Sequence, residues 1–393
     1  MATFLLAAGI VLAVPVVTLL VQAISASAKT DVTNSTASPR PRVAVLVPAH
    51  DEQLLIRDTL GSVMRQLRKG DRLVVIADNC SDHTAEAARQ EGAEVTVRTD
   101  PLLRGKGYAL DHGVRFLEST GIPEVVIFID ADCQAKPGCI DRLARSCFKT
   151  MRPVQAAYLM NLPNPPRKIS AIITFAWKVR DFVRPLGWLR LCLPCQLSGS
   201  GMAFPWHLVR AAELASSNLV EDLKQGLDLA LIGCYALFCP EAVVTSNVGK
   251  GGLPSSAQRA RWEHGTLALM GQYFPKLLAR FLKTGNVPLL GVMLDLCVPP
   301  LALLALAVAA TALAAAVFLF LSHVRLPLEV AAADCAFLLA AITVAWWRHG
   351  QDILPFRWLA FAPVYALGKI PLYLRFFFDR QSAWVRGERD LGG

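Results

Sequence analysis

Charge is scarce in this 393-residue chain: Asp, Glu, Lys and Arg together make up 18% of it. An average soluble domain carries about a quarter. Together with 54% apolar types, the shortage excludes intrinsic disorder, which needs the opposite balance. Collagen-like repeats are absent as well. Cysteines are present but not paired in a useful pattern. The ten of them include one C-x-x-C, Cys192 and Cys195, with no second pair or His-x-x-x-His to complete four ligands. A zinc site and a small disulfide scaffold are therefore excluded, and reduced thiols of a cytosolic compartment are expected. No G-x-G-x-x-G follows the first strand-like run, which removes the dinucleotide-binding fingerprint.

What is there is apolar and basic. Forty Lys and Arg against 31 Asp and Glu leave +9, a balance that suits an anionic partner such as acidic headgroups or a phosphorylated substrate. Nucleic-acid binding would need the basic residues gathered on one face. Many instead flank apolar runs, where the positive-inside rule accounts for them.

Phe4 to Ile24 is uncharged and long enough to cross a bilayer. Ala26-Ser27-Ala28 resembles a signal-peptide cleavage site, but no Lys or Arg precedes the run, while Lys29, Arg40 and Arg42 follow it. The reading is an uncleaved anchor with its N-terminus outside. Thr30 to Pro41 reads as a linker. Leu294 to Leu321 and Leu328 to Trp347 are two further candidate spans, the latter with Trp346 and Trp347 at an interface position. Trp358 to Phe378 contains Pro363, Lys369, Pro371 and Arg375. Arg348 and Arg357 lie before it and Arg380, Arg386 and Arg389 after. An interfacial or re-entrant segment keeps both basic clusters in the cytoplasm and is preferred over a span. Lys168 to Arg190 and Tyr273 to Lys283 mix aromatics with basic residues, as membrane-surface helices do.

Between these lie short apolar runs alternating with helical patterns. Val43–Val47, Leu73–Ala77, Glu94–Arg98, Val125–Ile129 and Val154–Leu159 read as strands. Glu52–Gln66, Asp82–Glu91, Lys106–Glu118 and Pro137–Phe148 read as helices. The alternation implies an α/β domain with a parallel sheet covered on both faces, and ligands bind such sheets beyond the carboxyl ends of the strands. Those ends are polar here: Pro48-Ala49-His50-Asp51-Glu52, Asp78-Asn79-Cys80-Ser81-Asp82 and Asp130-Ala131-Asp132, with Arg104-Gly105-Lys106-Gly107 before the third helix. Carboxylates arriving from three strands repel one another unless a cation joins them. Mg²⁺ or Mn²⁺ bridging carboxylates to a phosphorylated substrate is the natural resolution.

These motifs, in this order, resemble those of family 2 glycosyltransferases. Val220-Glu221-Asp222 is similar to the family's Thr-Glu-Asp, and Gln258-Arg259-Ala260-Arg261-Trp262 matches its Gln-x-x-Arg-Trp. The last two point to the membrane-embedded branch that includes cellulose, chitin and hyaluronan synthases and ceramide glucosyltransferases. The match covers about residues 43 to 270, with Asp51 where Asn is usual and Val220 where Thr is.

The resemblance implies a GT-A-type nucleotide-sugar-binding α/β domain (a Rossmann-like parallel sheet) with N- and C-terminal transmembrane helices and amphipathic interface helices. It implies an anchor over 1–28, a linker over 29–42 and a cytoplasmic catalytic domain over 43–270. An interface helix over 271–290 and a C-terminal membrane region over 291–393 would follow. It carries over roles in which Ala49, Glu52 and Asp78 hold uridine, while Lys106 and Asp130 contact the nucleotide. Asp132 ligates Mg²⁺ or Mn²⁺, Gln258 and Arg261 meet the diphosphate, Asp222 is the general base and Trp262 floors the acceptor sugar. The expected activity is inverting transfer from a UDP-sugar, at the cytoplasmic face of the plasma membrane, to a growing polysaccharide or lipid-linked acceptor. Membrane lipids and export or polymerisation partners are the expected contacts. Single transfer to a lipid, of the ceramide-glucosyltransferase type, stands beside it. A catalytically silent scaffold would be expected to have lost Asp222 or Asp132, and both are present.

Overall fold

The computed structural model describes residues 1–28, 39–216, 218–246 and 256–378. Lys29, most of the linker, and Arg380, Arg386 and Arg389 lie outside the described residues. The chain divides into two compact units.

One unit, whose described parts lie in Asp31–Asn161 and Pro194–Gly265, is built on an eight-stranded sheet. Its strands are β1 (Val43–Ala49), β2 (Arg72–Asp78), β3 (Glu94–Arg98), β4 (Val125–Phe128), β5 (Cys133–Ala135), β6 (Val154–Met160), β7 (Met202–Pro205) and β8 (Leu237–Ser246). The spatial order is β3-β2-β1-β4-β7-β6-β8-β5. The half from β3 to β4 is parallel, as expected. Its central strand β1 is an unbroken apolar run whose Val43 to Val47 are fully buried, the mark of a strand covered on both faces.

Beyond β4 the sheet is mixed rather than parallel. β7 pairs antiparallel with β4 and β6, β6 pairs parallel with β8, and β5 pairs antiparallel with β8. Strands of three and four residues are too short to show a period, so neither β5 nor β7 is legible in the sequence. The helices Ile56–Met64, Thr84–Gln90, Lys106–Thr120 and Cys139–Thr150 fall within a few residues of their expected places.

The other unit gathers Met1–Thr30, Leu162–Leu193 and Thr266–Gln381. Residues 162–193 thus leave the stretch expected to form one catalytic domain over 43–270. They form the helices Lys168–Lys178 and Arg184–Arg190, joined by a π-helical turn at Val179–Val183. Ile172, Phe175, Trp177, Leu186 and Trp188 are buried. That apolar face is packed against protein and is not left open to lipid. The Trp188 indole donates to the Gly291 carbonyl (3.1 Å).

Among the described residues three helices are long and apolar enough to cross a membrane: Ala2–Ser27, Leu301–Ser322 and Leu326–His349. At 1.5 Å per residue each spans more than about 30 Å of hydrocarbon. The first and third run in the same direction. Gly9 lies against Val330 and Asp334, while the Ala26 carbonyl meets His349 Nε2 at 3.3 Å. Leu301–Ser322 runs opposite to Leu326–His349, to which a short turn joins it. The first helix is tied to the unit near its end. Asp295 Oδ1 accepts from Gln22 Nε2 (2.6 Å) and from Arg184 Nη2 (2.8 Å), with Asp295 and Arg184 both buried.

Two boundaries differ from the sequence reading. The run Leu294–Leu321 is interrupted, because Val287–Cys297 ends before Pro299 and Pro300, which cannot donate backbone hydrogen bonds, and Leu301–Ser322 begins after them. The separate interface helix expected over 271–290 is instead the second half of one 29-residue helix, Ser256–Thr284. This helix contains Pro275 and is followed by Gly285 at φ 61°. Asn286 then caps the next helix by accepting from the Leu289 N–H (3.2 Å). Over 358–378, where no span is expected, lie the end of Phe356–Leu359 and the helices Ala362–Leu367 and Ile370–Phe378, none long enough to cross.

Candidate active site

The parallel half of the sheet brings the carboxyl ends of β1, β2 and β4 side by side, and two groups of polar side chains form there. The first joins the loops after β1 and β2. Asp51, at φ 53°, accepts from the Ser81 N–H (2.6 Å) and Ser81 Oγ (3.1 Å). An asparagine oxygen could accept the same bonds, so the Asp at this position needs no charge to make them. The Glu52 N–H donates to Thr84 Oγ1 (2.7 Å), His50 Nδ1 lies 2.7 Å from the Asp78 carbonyl, and Cys80 Sγ donates to the Ala49 carbonyl (3.4 Å). Ala49 and Asp78 are both buried. Asp78 is paired with Arg98 (2.7 Å). Arg98 is a site residue that sequence reasoning missed. The signal was available: Asp78 and Arg98 end adjacent parallel strands and stand in register.

The second group surrounds Lys106, the first residue of its helix. Its ammonium lies 2.5 Å from Asp130 Oδ1 and 3.8 Å from Glu221 Oε1, and it donates to the Gly199 carbonyl (2.7 Å). Asp130 follows β4, where its N–H bonds the Ser200 hydroxyl (3.1 Å). Asp130, Asp132 and Cys133 have ligand-type atoms within 4.8 Å of one another. Burial pushes the Cys133 thiol well above its usual range, with Asp132 and Asp130 adding to the effect. It therefore stays protonated, which leaves the two carboxylates as the fitting donors for a hard divalent cation.

Glu221 and Asp222 begin the helix Glu221–Leu231. Gly199, in left-handed backbone at φ 91°, passes beside them, and a Cβ built there would stand 3.1 Å from Asp222 Oδ2. The loop thus lets backbone approach the carboxylate where a side chain would crowd it. Among the described residues no hydrogen bond or ion pair reaches the Asp222 carboxylate.

The Gln-x-x-Arg-Trp segment is held against the same turn. Gly265 lies on Val220, its Cβ position 2.8 Å from Val220 Cγ2. Arg261 feels Glu221, Asp222 and Asp130, whose charges partly offset the burial that lowers its pKa. Gln258 and Trp262 share that half-buried helical segment.

Charges in the second group are strongly interdependent. Burial disfavours the Lys106 charge, but Asp130, Glu221 and Asp222 outweigh it and hold the ammonium above the usual lysine range. Asp130 is raised by burial in spite of Lys106. Burial also pushes Glu221 up to about 7, with Asp222 adding and Lys106 opposing. An unfolded Glu221 would release its proton near 4.5, so folding stability falls as pH rises from there towards 7. Glu221→Gln should therefore stabilise the metal-free protein by up to about 3 kcal/mol at pH 8 and by little at pH 4. Thermal melts at the two pH values check this, and equal shifts at both would contradict it. The family resemblance carries over a role for Asp222 and none for Glu221.

Residues 39–265, more than half of the chain, match the family model described as glycosyltransferase like family 2. The chain belongs to that family. A probable glycosyltransferase of Bacillus subtilis, YdaM, is 24% identical over 257 residues, 62% of this chain and 58% of that protein. The 4,4'-diaponeurosporenoate glycosyltransferase of Staphylococcus haemolyticus is 28% identical over 130 residues, 31% of this chain and 33% of that protein. This family 2 chain thus spans less than two thirds of the length of either relative. Among solved structures, a mannosyltransferase of Pyrobaculum calidifontis, PcManGT in complex with GDP-Man and Mn²⁺, aligns over 96% of this chain and 100% of its own. The TM-score is 0.54 and the identity 19%, a likeness of fold.

Proposed function

We propose that this family 2 protein is an inverting membrane glycosyltransferase that moves a sugar from a nucleotide donor, a UDP-sugar, to a growing polysaccharide or lipid-linked acceptor. The observation that carries the reading is the Asp222 carboxylate. It is uncommitted to any hydrogen bond among the described residues and stands at the same site as Lys106, Asp130 and Arg261. A base needs free lone pairs towards the acceptor hydroxyl, and a leaving diphosphate needs cations.

In this mechanism Ala49, Glu52 and Asp78 hold the nucleoside, while Lys106 and Asp130 meet the nucleotide. Gln258 and Arg261 receive the diphosphate, and Trp262 stacks under the acceptor sugar. Asp222 accepts the proton of the acceptor hydroxyl as that oxygen attacks the anomeric carbon on the face opposite the diphosphate, so the configuration inverts. A divalent cation, Mg²⁺ or Mn²⁺, held by Asp132 with Asp130 beside it, would supply charge against the leaving diphosphate. Assaying membranes with a panel of radiolabelled nucleotide sugars tests the reading. Transfer from one of them to a lipid or polymer is expected, and transfer from none would overturn it.

Single transfer to a lipid acceptor is the second reading. It is favoured by the count of three long apolar helices among the described residues, few to wall a polymer channel. The chain length of the product made by purified enzyme separates the two.

In this reading the catalytic residues work at the cytoplasmic face of the plasma membrane. Three spans of alternating direction, starting outside, would leave the described residues of 28–300 and of 350–378 on that side, in keeping with Arg40, Arg42, Arg348 and Arg357. A reporter fused after Lys29 should be active in the cytoplasm; activity only on the far side would overturn both the orientation and the access to nucleotide sugars.

A further inference from the structure

We infer that Gln225 is a positioning residue for the Asp222 carboxylate, an inference that rests on the reading of Asp222 as the base. Gln225 lies one turn into the helix Glu221–Leu231. Side chains three and four apart on a helix are neighbours, and each leans towards the N-terminal turn. The Gln225 amide therefore lies over the turn that carries Glu221 and Asp222. All three line one small cavity of about 10 Å³, together with Gly107, Glu213 and Ser216.

Gln225 is 8% exposed, and among the described residues its Nε2 has no hydrogen-bond partner. Leaving a buried amide N–H unpaired is costly, so such groups are rarely without a purpose. Three carboxylates on the cavity wall could accept from it. Glu221 already faces Lys106 at 3.8 Å, and Glu213 is exposed to solvent. Asp222 is the acceptor that remains. Its Oδ2 is turned to Gly199, and an amide reaching it from the cavity side would hold the plane of the carboxylate towards the acceptor. Such a bond favours the charged, basic form. The other charged groups around Asp222 are Glu221 and Lys224 on its own helix, Lys106, Asp130, Arg261 and Glu213. All of them remain when Gln225 alone is changed.

The test uses the full-length protein in membranes, with Gln225→Met and the near-isosteric Gln225→Glu. Turnover, donor KM, melting temperature and the pH profile of turnover are measured for each. Gln225→Met should lower turnover about tenfold, the worth of one hydrogen bond to a charged group. Donor KM should stay within about twofold, because the nucleotide is not touched. The acidic limb of the profile should move to higher pH, and further still in Gln225→Glu, which sets a carboxylate where the amide was. An unmoved limb in both variants, whether or not melting temperature falls, would overturn the inference and leave Gln225 a packing residue. Failure of the underlying reading is distinguishable: there, Asp222→Asn itself keeps its turnover. If Asp222→Asn is inactive while both Gln225 variants keep the limb in place, the role of Gln225 alone fails.

Discussion

Asp222→Asn is expected to cut turnover about 10²–10⁴-fold, or roughly 3–5 kcal/mol of barrier, while donor affinity and melting temperature stay near those of the parent. Asparagine keeps the shape of the side chain and loses only its basicity. Asp222 lies in the first turn of its helix, where a carboxylate can also serve the backbone. An asparagine serves there equally well, so a structural role predicts almost no change in rate. The geometry sharpens the contrast. Among the described residues Asp222 makes no hydrogen bond or ion pair that its charge sustains, so the substitution breaks no contact that would unfold the helix. It also relieves some of the negative charge crowding Glu221 and Asp130, both of which Asp222 pushes up. Measuring donor binding, melting temperature and turnover on one variant separates the roles. Turnover within a few-fold of the parent would remove Asp222 from the mechanism.

Removing the divalent cation should have an effect at least as large. Asp130, Asp132, Glu221 and Asp222 bring four carboxylates to a region where Lys106 and Arg261 supply two positive charges. Adding a nucleoside diphosphate to that balance without a cation would place anion beside anion at close range. Excess chelator is therefore expected to abolish transfer, and readdition of Mn²⁺ or Mg²⁺ to restore it. Asp132→Ala should remain inactive at every metal concentration, because the missing ligand cannot be supplied from solution. Full activity in excess chelator would show that the Asp-x-Asp pair serves another purpose. Cys133 offers a control within the same cluster. Its thiol is held protonated by burial, so Cys133→Ser should keep its metal response.

Much of this was legible from local order. The strand ends Ala49, Asp78 and Asp130 follow apolar runs that can only be buried, and a buried run that stops at a carboxylate marks a sheet edge facing solvent or ligand. Length and hydropathy likewise located the three long helices, since a bilayer imposes both on any segment that crosses it. Other features were out of reach because they depend on partners far away in sequence. The antiparallel seam from β4 to β7 pairs residues some 80 positions apart, through a strand too short to carry a period. Residues 162–193 read as part of the catalytic stretch, yet Arg184 is drawn to Asp295 and Gln22 because a buried charge must find its counter-charge wherever the fold supplies one.

The family, the order of the motifs and the kinds of chemistry they allow follow from residue type and spacing along the chain. That Glu221 shares the Lys106 site and that Gly199 opens a way to Asp222 came from packing between distant segments. Each of these is a distance across the fold, set by how helices and strands close-pack. No local pattern encodes such a distance.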